Sequence, residues 1–264
     1  MKHPFRLLFL GDIIGPTGRA AIQTQVPLLR KELQLDAVIA NAENSAEQGF
    51  GTTPQIAETL LSVVDFLTLG DHAFDLPEIS PFLEQNQRII RPANFEEALP
   101  GRGWGMFEAA GVRVGVVNLL GKVFMRPRVT SPYAAADEAV EALKAAGANL
   151  IMVDMQAEAT SEKQAMGWHL AGRATAVLGT HTHTPTSDLR VLPGGTAYMS
   201  DVGMSGGSDS IIGYHKDFLQ LLKGDKSVGP PRPAEGPARL DGVLIEVNPE
   251  NGQALAVHQV TRAT

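Results

Sequence analysis

The chain has 264 residues, with 22 Lys plus Arg against 29 Asp plus Glu, a formal net charge of −7, 44% hydrophobic and 19% charged residues, and no cysteine. This is the composition of an ordinary folded protein; it excludes a disulfide framework and argues against an extended surface for nucleic-acid backbones. A small anionic substrate stays admissible, because a bound cation reverses the local field.

The N-terminal stretch "MKHPFRLLFLGDIIG" is basic and then apolar, but Asp12 interrupts the run and no small-residue cleavage pattern follows, so "RLLFLG" reads as a first buried strand. Helical spacing follows in "TGRAAIQTQVPLLRKEL", then a strand in "DAVIAN", a helix in "TPQIAETLLSVV" and a strand in "VDFLTLG". A long irregular stretch, "ANFEEALPGRGWG", precedes the strand "VRVGVVN"; a second, "LLGKVFMRPRVTSP", precedes the helix "SPYAAADEAVEALKAAG". Loops of that length in a compact domain are often lids or binding loops. The strand "ANLIMVD", the helix "TSEKQAMGWHLAG" and the strands "ATAVLGT" and "GTAYMSD" come next. The Pro/Gly-rich "KGDKSVGPPRPAEGP" reads as a surface connection, and the end of the chain as a hairpin turning at Pro249 to Gly252. Strands alternating with helices predict a layered α/β fold with a largely buried sheet. One domain over residues 1–264 is expected. No apolar run reaches membrane-spanning length, and the lack of cysteine suits a reducing, cytoplasmic setting.

The polar residues of interest fall where apolar strands end: Asp12, then Glu43 and Asn44, Asp71 and His72, Asp154 and Gln156, and finally His181 and His183 in "GTHTHTP". Ligands gather at the carboxyl ends of strands in open α/β sheets, so five strands can deliver oxygen and nitrogen donors to one edge. Each residue also has a plainer role open to it. Asp12 can cap a turn, and Glu43 and Asn44 can be solvated. "GDIIGPTGR" lacks the Gly-Lys-Ser/Thr of a phosphate loop. In "DLPE", Asp75 reads as a helix N-cap, with Pro77 in the first turn and Glu78 at the capping-box position; Ser161 with Gln164 reads the same way. His169 reads as a packing residue, and His3, His215 and His258 are assigned no chemistry.

His181 and His183 differ from these. In an extended segment, residues i and i+2 face the same side, and a divalent cation relieves the repulsion between two imidazoles by binding both neutral rings.

"GDIIGPTGR", "NAENSAEQGFG", "TLGDHAFD", "RPAN", "GKVFMRP", "VDMQAEATSEKQAMGWHLAGR", "VLGTHTHTPTSD", "LPGGTAYMSDVGM" and "DSIIG" follow in order. Together they resemble the YmdB-like branch of the calcineurin-like metallophosphoesterases, over most of the chain. The resemblance implies a four-layer α/β/β/α sandwich, a binuclear metal centre at the strand ends, and phosphodiesterase activity on 2′,3′-cyclic nucleotides. It implies one metal held by Asp12, Glu43, Asn44 and His183, with Glu43 bridging to a second held by Asp71, Gln156 and His181, and His72 as the catalytic histidine. Two positions depart from the family pattern: Asp71 stands where Asn is usual, and Gln156 where His is usual. With Gln156 ligating through oxygen, the second site becomes oxygen-rich. Two divalent ions drawn from Mn, Fe, Mg or Zn are then expected, with Mn favoured at the second.

For such chemistry, two ions roughly 3.5–4 Å apart lower the pKa of a shared water and neutralise phosphate oxygens. A general acid at His72 would protonate the leaving alkoxide. The expected partner is a small anionic phosphodiester, with no extended nucleic-acid surface and no membrane, and a homo-oligomer is compatible with the sequence. Phe124 or Trp104 is a candidate to stack on a base, and Arg126 to meet a phosphate, although their loops can equally serve only to cover the core. Two other readings fit the same residues: a His-x-His metal-dependent amide or ester hydrolase, and a non-enzymatic metal- or nucleotide-binding regulator with a weakened second metal site.

Overall fold

A computed structural model describes residues 3–264. In chain order the strands are β1 (Phe5–Leu10), β2 (Asp12–Ile13), β3 (Ala37–Asn41), β4 (Phe66–Thr68), β5 (Trp104–Ala109), β6 (Val112–Leu120), β7 (Leu150–Gln156), β8 (Ala176–Thr180), β9 (Arg190–Leu192), β10 (Thr196–Met199), β11 (Met204–Gly207), β12 (Ala238–Val247) and β13 (Ala254–Ala263). The helices are α1 (Gly15–Glu32), α2 (Pro54–Leu61), α3 (Ile79–Gln85), α4 (Pro132–Ala145), α5 (Thr160–His169) and α6 (Phe218–Leu222).

Two sheets form. The first runs β2-β11-β12-β1-β3-β4, with β13 added on β12; the second runs β5-β6-β7-β8-β10-β9. The period-two alternation of the strands explains the layering. In β1, Leu8 and Leu10 pack with Ile22, Val26 and Leu29 of α1 and with Leu60 of α2. Leu7 and Phe9, facing the other way, join Val114, Met152 and Leu178 of the second sheet. The outer face of that sheet, including Val117, Val153 and Val177, packs against Val140 and Leu143 of α4 and Met166 of α5. The result is the four-layer α/β/β/α sandwich of the calcineurin-like metallophosphoesterase type.

The ends of α2 and α4 are set locally. Thr53 and Ser131 accept hydrogen bonds from Ile56 N and Ala134 N, and Pro54 and Pro132 start the helices. The two other caps read from the sequence differ. Helix α3 begins at Ile79, too late for Asp75 to cap it, and α5 has Ala159 at its N-cap with no side-chain bond from Ser161. The C-terminal hairpin turns as read, with Asn248 N donating to Gln253 O and Gly252 N to Asn248 O.

Strands β1, β3 and β4 are parallel, as are β6, β7, β8 and β10. Their carboxyl ends therefore emerge on one edge of each sheet. The two edges meet: Asn41 Nδ2 at the end of β3 and Thr68 Oγ1 at the end of β4 both reach Asp154 Oδ2 of β7, at 3.0 and 2.5 Å. Among the described residues, no helix is long and apolar enough to cross a membrane.

Candidate metal centre

At this joint edge lies a cavity of about 710 Å³, lined at one pole by Glu43, Asn44, Asp71, His72, His181 and His183. Asp12 and Gln156 are fully buried beneath it. Side chains from five strand ends thus converge on one place. Gly70 permits this: a Cβ there would collide with the Glu43 carboxylate.

His181 and His183 do not sit in an extended segment. Strand β8 ends at Thr180, and the two histidines adopt φ of 99° and 61°, the left-handed region that side-chain-bearing residues rarely occupy. Phe124 (φ 64°) and Ile212 (φ 48°) on the cavity wall share it. Non-glycine residues held this way cluster at functional sites. The left-handed turn sends the two rings to different neighbours. His183 Nδ1 lies 2.8 Å from the Ile212 carbonyl and must donate to it, so in the neutral ring Nε2 carries the lone pair, 3.3 Å from Asn44 Nδ2 and 3.9 Å from Asp12 Oδ1. His181 places Nδ1 3.2 Å from Asp71 Oδ1 and Nε2 3.3 Å from Glu158 Oε2. Asp201 ties the loop down, accepting from Thr182 N at 3.0 Å, Thr182 Oγ1 at 2.8 Å and the buried Lys163 ammonium at 2.8 Å.

Asp12 Oδ1 and Asn44 Oδ1 are buried and have no hydrogen-bond partner. Orphaned buried oxygens are costly. Asn44 turns Nδ2 toward Glu43 Oε1 and His183 Nε2, both at 3.3 Å, but its unpartnered oxygen leaves the amide free to rotate; with that oxygen turned inward, Asp12, Glu43, Asn44 and His183 form a donor set that fits a divalent cation. The electrostatics agree. Burial pushes the Glu43 carboxyl well above the ordinary range, and Asp71 and Asp12 push it further; burial also raises Asp12, against the pull of His183. Asp71 goes the other way. Burial would raise it, but its hydrogen bond and charge contact with His181 hold it at about 2. Asp154, beneath the site, is raised to about 7 by burial.

Glu43, Asp71 and His181 form a second group whose ligand atoms lie within 4.8 Å of one another. Gln156 faces this group, but not as the oxygen ligand expected. Glu43 N donates to Asn41 Oδ1, so the Asn41 amide nitrogen points at Gln156 Oε1, which also accepts from Thr180 Oγ1. Gln156 Nε2 is therefore turned toward Glu43 Oε1, and lies 3.4 Å from Asp71 Oδ1 and 3.3 Å from His181 Nδ1. It presents N–H donors, which cannot ligate a metal.

His72 Nδ1 contacts Asp75 Oδ2 at 2.7 Å, and its backbone N donates to Glu43 Oε2 at 3.1 Å. Asp75, free of the helix it was expected to cap, fixes the His72 ring. Its spacing of three residues from His72 was the available signal, but a cap explained it equally well. The other pole of the cavity is apolar, with Phe50, Tyr214, Phe218, Leu221 and Pro231; Phe50 and Tyr214 stack at 5.4 Å. The sequence reading singled out none of these, because isolated aromatic residues in loops carry no periodic signal. Phe124 and Arg126 reach the cavity mouth. Trp104 does not line it; it starts β5 and pairs with Val117 of β6. Strand β5 is the outermost of its sheet, with β6 between it and β7, and this keeps Trp104 from the centre. His169 is more than a packing residue, since its Nε2 lies 2.9 Å from Asp137 Oδ1.

Comparison with known proteins agrees with this geometry. Residues 8–260 match the family described as YmdB-like protein. A Bacillus subtilis (strain 168) chain named 2′,3′-cyclic-nucleotide 2′-phosphodiesterase is 40% identical over 258 residues, covering 97% of this chain and 96% of its own. The crystal structure of a hypothetical protein from Thermus thermophilus superposes with a TM-score of 0.89 at 36% identity, covering 98% of this chain and 99% of its own. That of a phosphatase from Mycoplasma pneumoniae gives 0.90 at 31% identity, covering 100% and 95%. The chain belongs to the YmdB-like family of metallophosphoesterases.

Proposed function

We propose that the protein is a metal-dependent phosphodiesterase acting on small cyclic phosphodiesters of the 2′,3′-cyclic nucleotide class. The observation that carries this reading is the pair of orphaned oxygens, Asp12 Oδ1 and Asn44 Oδ1, on the floor of a two-poled cavity. The apolar pole suits a nucleobase and the polar pole suits a phosphate brought in with a cation. The Bacillus subtilis relative, named for such a substrate, supports it.

Asp12, Glu43, Asn44 and His183 would hold the cation, with three oxygens and one nitrogen, a set suited to Mn²⁺, Fe²⁺ or Mg²⁺. A divalent cation there supplies charge neutralisation at the phosphate and a lowered pKa for an attacking water. The protein's own residues supply the rest. Glu43 also accepts from His72 N, locking the histidine to the metal side of the cavity. With Nδ1 donating to Asp75, Nε2 of His72 faces the site 3.7 Å from Asp71 Oδ2, and the imidazolium form would hand its Nε2 proton to the departing sugar oxygen and be left as the neutral ring. Phe50 and Tyr214 offer a stacked wall for the base and exclude water from that side.

The test is reconstitution. Chelator-stripped protein is supplied in turn with Mn²⁺, Mg²⁺, Fe²⁺ or Zn²⁺ and challenged with 2′,3′-cyclic AMP, and the product regiochemistry is read by chromatography. Turnover that appears with a metal and vanishes with chelator is expected. Hydrolysis of simple esters but of no phosphodiester, under any metal, would replace this reading with that of an ester hydrolase.

A further inference from the structure

The two groups of candidate ligands differ in one respect. In the first, Asp12 Oδ1 and Asn44 Oδ1 have no hydrogen-bond partner, although Asp12 is fully buried and Asn44 only 2% exposed; Asn44 Nδ2 lies 3.3 Å from both Glu43 Oε1 and His183 Nε2, but with nothing bound to Oδ1 that amide is free to turn its oxygen toward them. In the second, every atom that would ligate is already engaged. Asp71 Oδ1 meets His181 Nδ1 at 3.2 Å, and the other nitrogen of His181 has Glu158 Oε2 at 3.3 Å. Glu43 Oε1 accepts from Gln156 Nε2, whose remaining contacts are Asp71 Oδ1 at 3.4 Å and His181 Nδ1 at 3.3 Å. The Gln156 amide thus stands against all three members of the second group.

Its orientation is anchored from the backbone. Glu43 N donates to Asn41 Oδ1 at 3.0 Å, so Asn41 must present its amide nitrogen to Leu69 O, Asp154 Oδ2 and Gln156 Oε1. Turning Gln156 over would set its oxygen against the Glu43 carboxylate and its nitrogen against Asn41 Nδ2, replacing two attractive contacts with two repulsive ones. Charge points the same way. Asp71 has two imidazoles beside it, His181 Nδ1 at 3.2 Å and His72 Nε2 at 3.7 Å, whereas Asp12 Oδ1 has His183 Nε2 at 3.9 Å.

We propose that this chain binds one tightly held divalent cation, at Asp12, Glu43, Asn44 and His183, and that the Gln156 carboxamide occupies the place of a second by donating to Glu43. The proposal rests on the metal-dependent reading above and narrows it: the site is mononuclear, and Gln156 is a positioning residue that fixes Glu43 by donating to its Oε1. It also replaces the two-ion centre that the family resemblance implies.

The test counts metal independently of activity. Full-length protein is stripped, dialysed against Mn²⁺, freed of excess and measured by inductively coupled plasma mass spectrometry. The same samples are examined by low-temperature electron paramagnetic resonance, which gives a six-line signal for an isolated Mn²⁺ and an exchange-coupled spectrum for a pair. One ion per chain with the six-line signal is expected. Gln156→His, which puts a ring nitrogen where the N–H donor stands, is expected to raise the count to two and couple the spins. Gln156→Glu, close in size, does the same by an oxygen route and guards against a misfolded histidine variant. Two coupled ions per wild-type chain would overturn the proposal, and so would variants that still hold one. One ion without turnover of any phosphodiester leaves this proposal standing and removes the functional reading; no ion at all overturns both.

Discussion

His72 and Asp75 show how a single contact assigns work to a side chain. A carboxylate 2.7 Å from Nδ1 orients the ring, and the backbone N of the same residue is bound to Glu43. If His72 protonates the leaving oxygen, His72→Ala should keep its metal and lose about 10²- to 10⁴-fold in kcat on a cyclic nucleotide. It should lose far less on a nitrophenyl phosphodiester, whose leaving group needs no proton. Equal losses on both substrates would take His72 out of the proton transfer. Asp75→Asn keeps the side-chain size but removes the charge. It should lower kcat on the cyclic nucleotide with KM little changed and spare the nitrophenyl substrate; a merely structural role would lower both alike. Steady-state kinetics with the two substrates checks both variants.

At the scale of elements, the centre depends on strand ends and on the turns that follow them. The β8 turn, with its two left-handed histidines, is held by Asp201, which also carries the ion pair to Lys163 of α5. Both side chains are almost wholly buried, at 2% and 1% exposure. Removing one partner of such a pair leaves an uncompensated buried charge and costs about 3–5 kcal/mol. Lys163→Met should therefore lower unfolding stability by that amount in urea titration. It should also weaken metal binding through His183, although residue 163 contacts no candidate ligand. A loss below about 1 kcal/mol would mean that Asp201 is stabilised by its loop hydrogen bonds alone. The identities of the elements were largely legible from periodicity, because strands such as β7 bury both faces and read as unbroken apolar runs. What periodicity missed were short pieces such as β2, β9, β11 and α6, each too brief to show a repeat.

For the whole molecule, the cluster of buried carboxylates makes folding and cation binding one linked equilibrium. A ligand that binds only the folded state stabilises it by about 4 kcal/mol at a thousandfold excess over its Kd. Chelation should thus lower Tm measurably, and added Mn²⁺ should raise it in a concentration-dependent way. A calorimetric Tm indifferent to both would mean that the orphaned oxygens of Asp12 and Asn44 are not metal ligands. The sequence by itself determined the layered α/β architecture and the candidates at the strand ends, because apolar alternation and residue type act locally. Only the tertiary structure decided the division of labour among them. Trp104 misses the site because the strand it starts is the outermost of its sheet. Asp75 turns from a cap into the partner of His72 because the helix begins later. Gln156 faces the site with nitrogen rather than oxygen because Asn41, distant in sequence, is itself fixed by the Glu43 backbone. Orientation is set by neighbours that meet only when the two sheets close on each other, and no spacing along the chain encodes it.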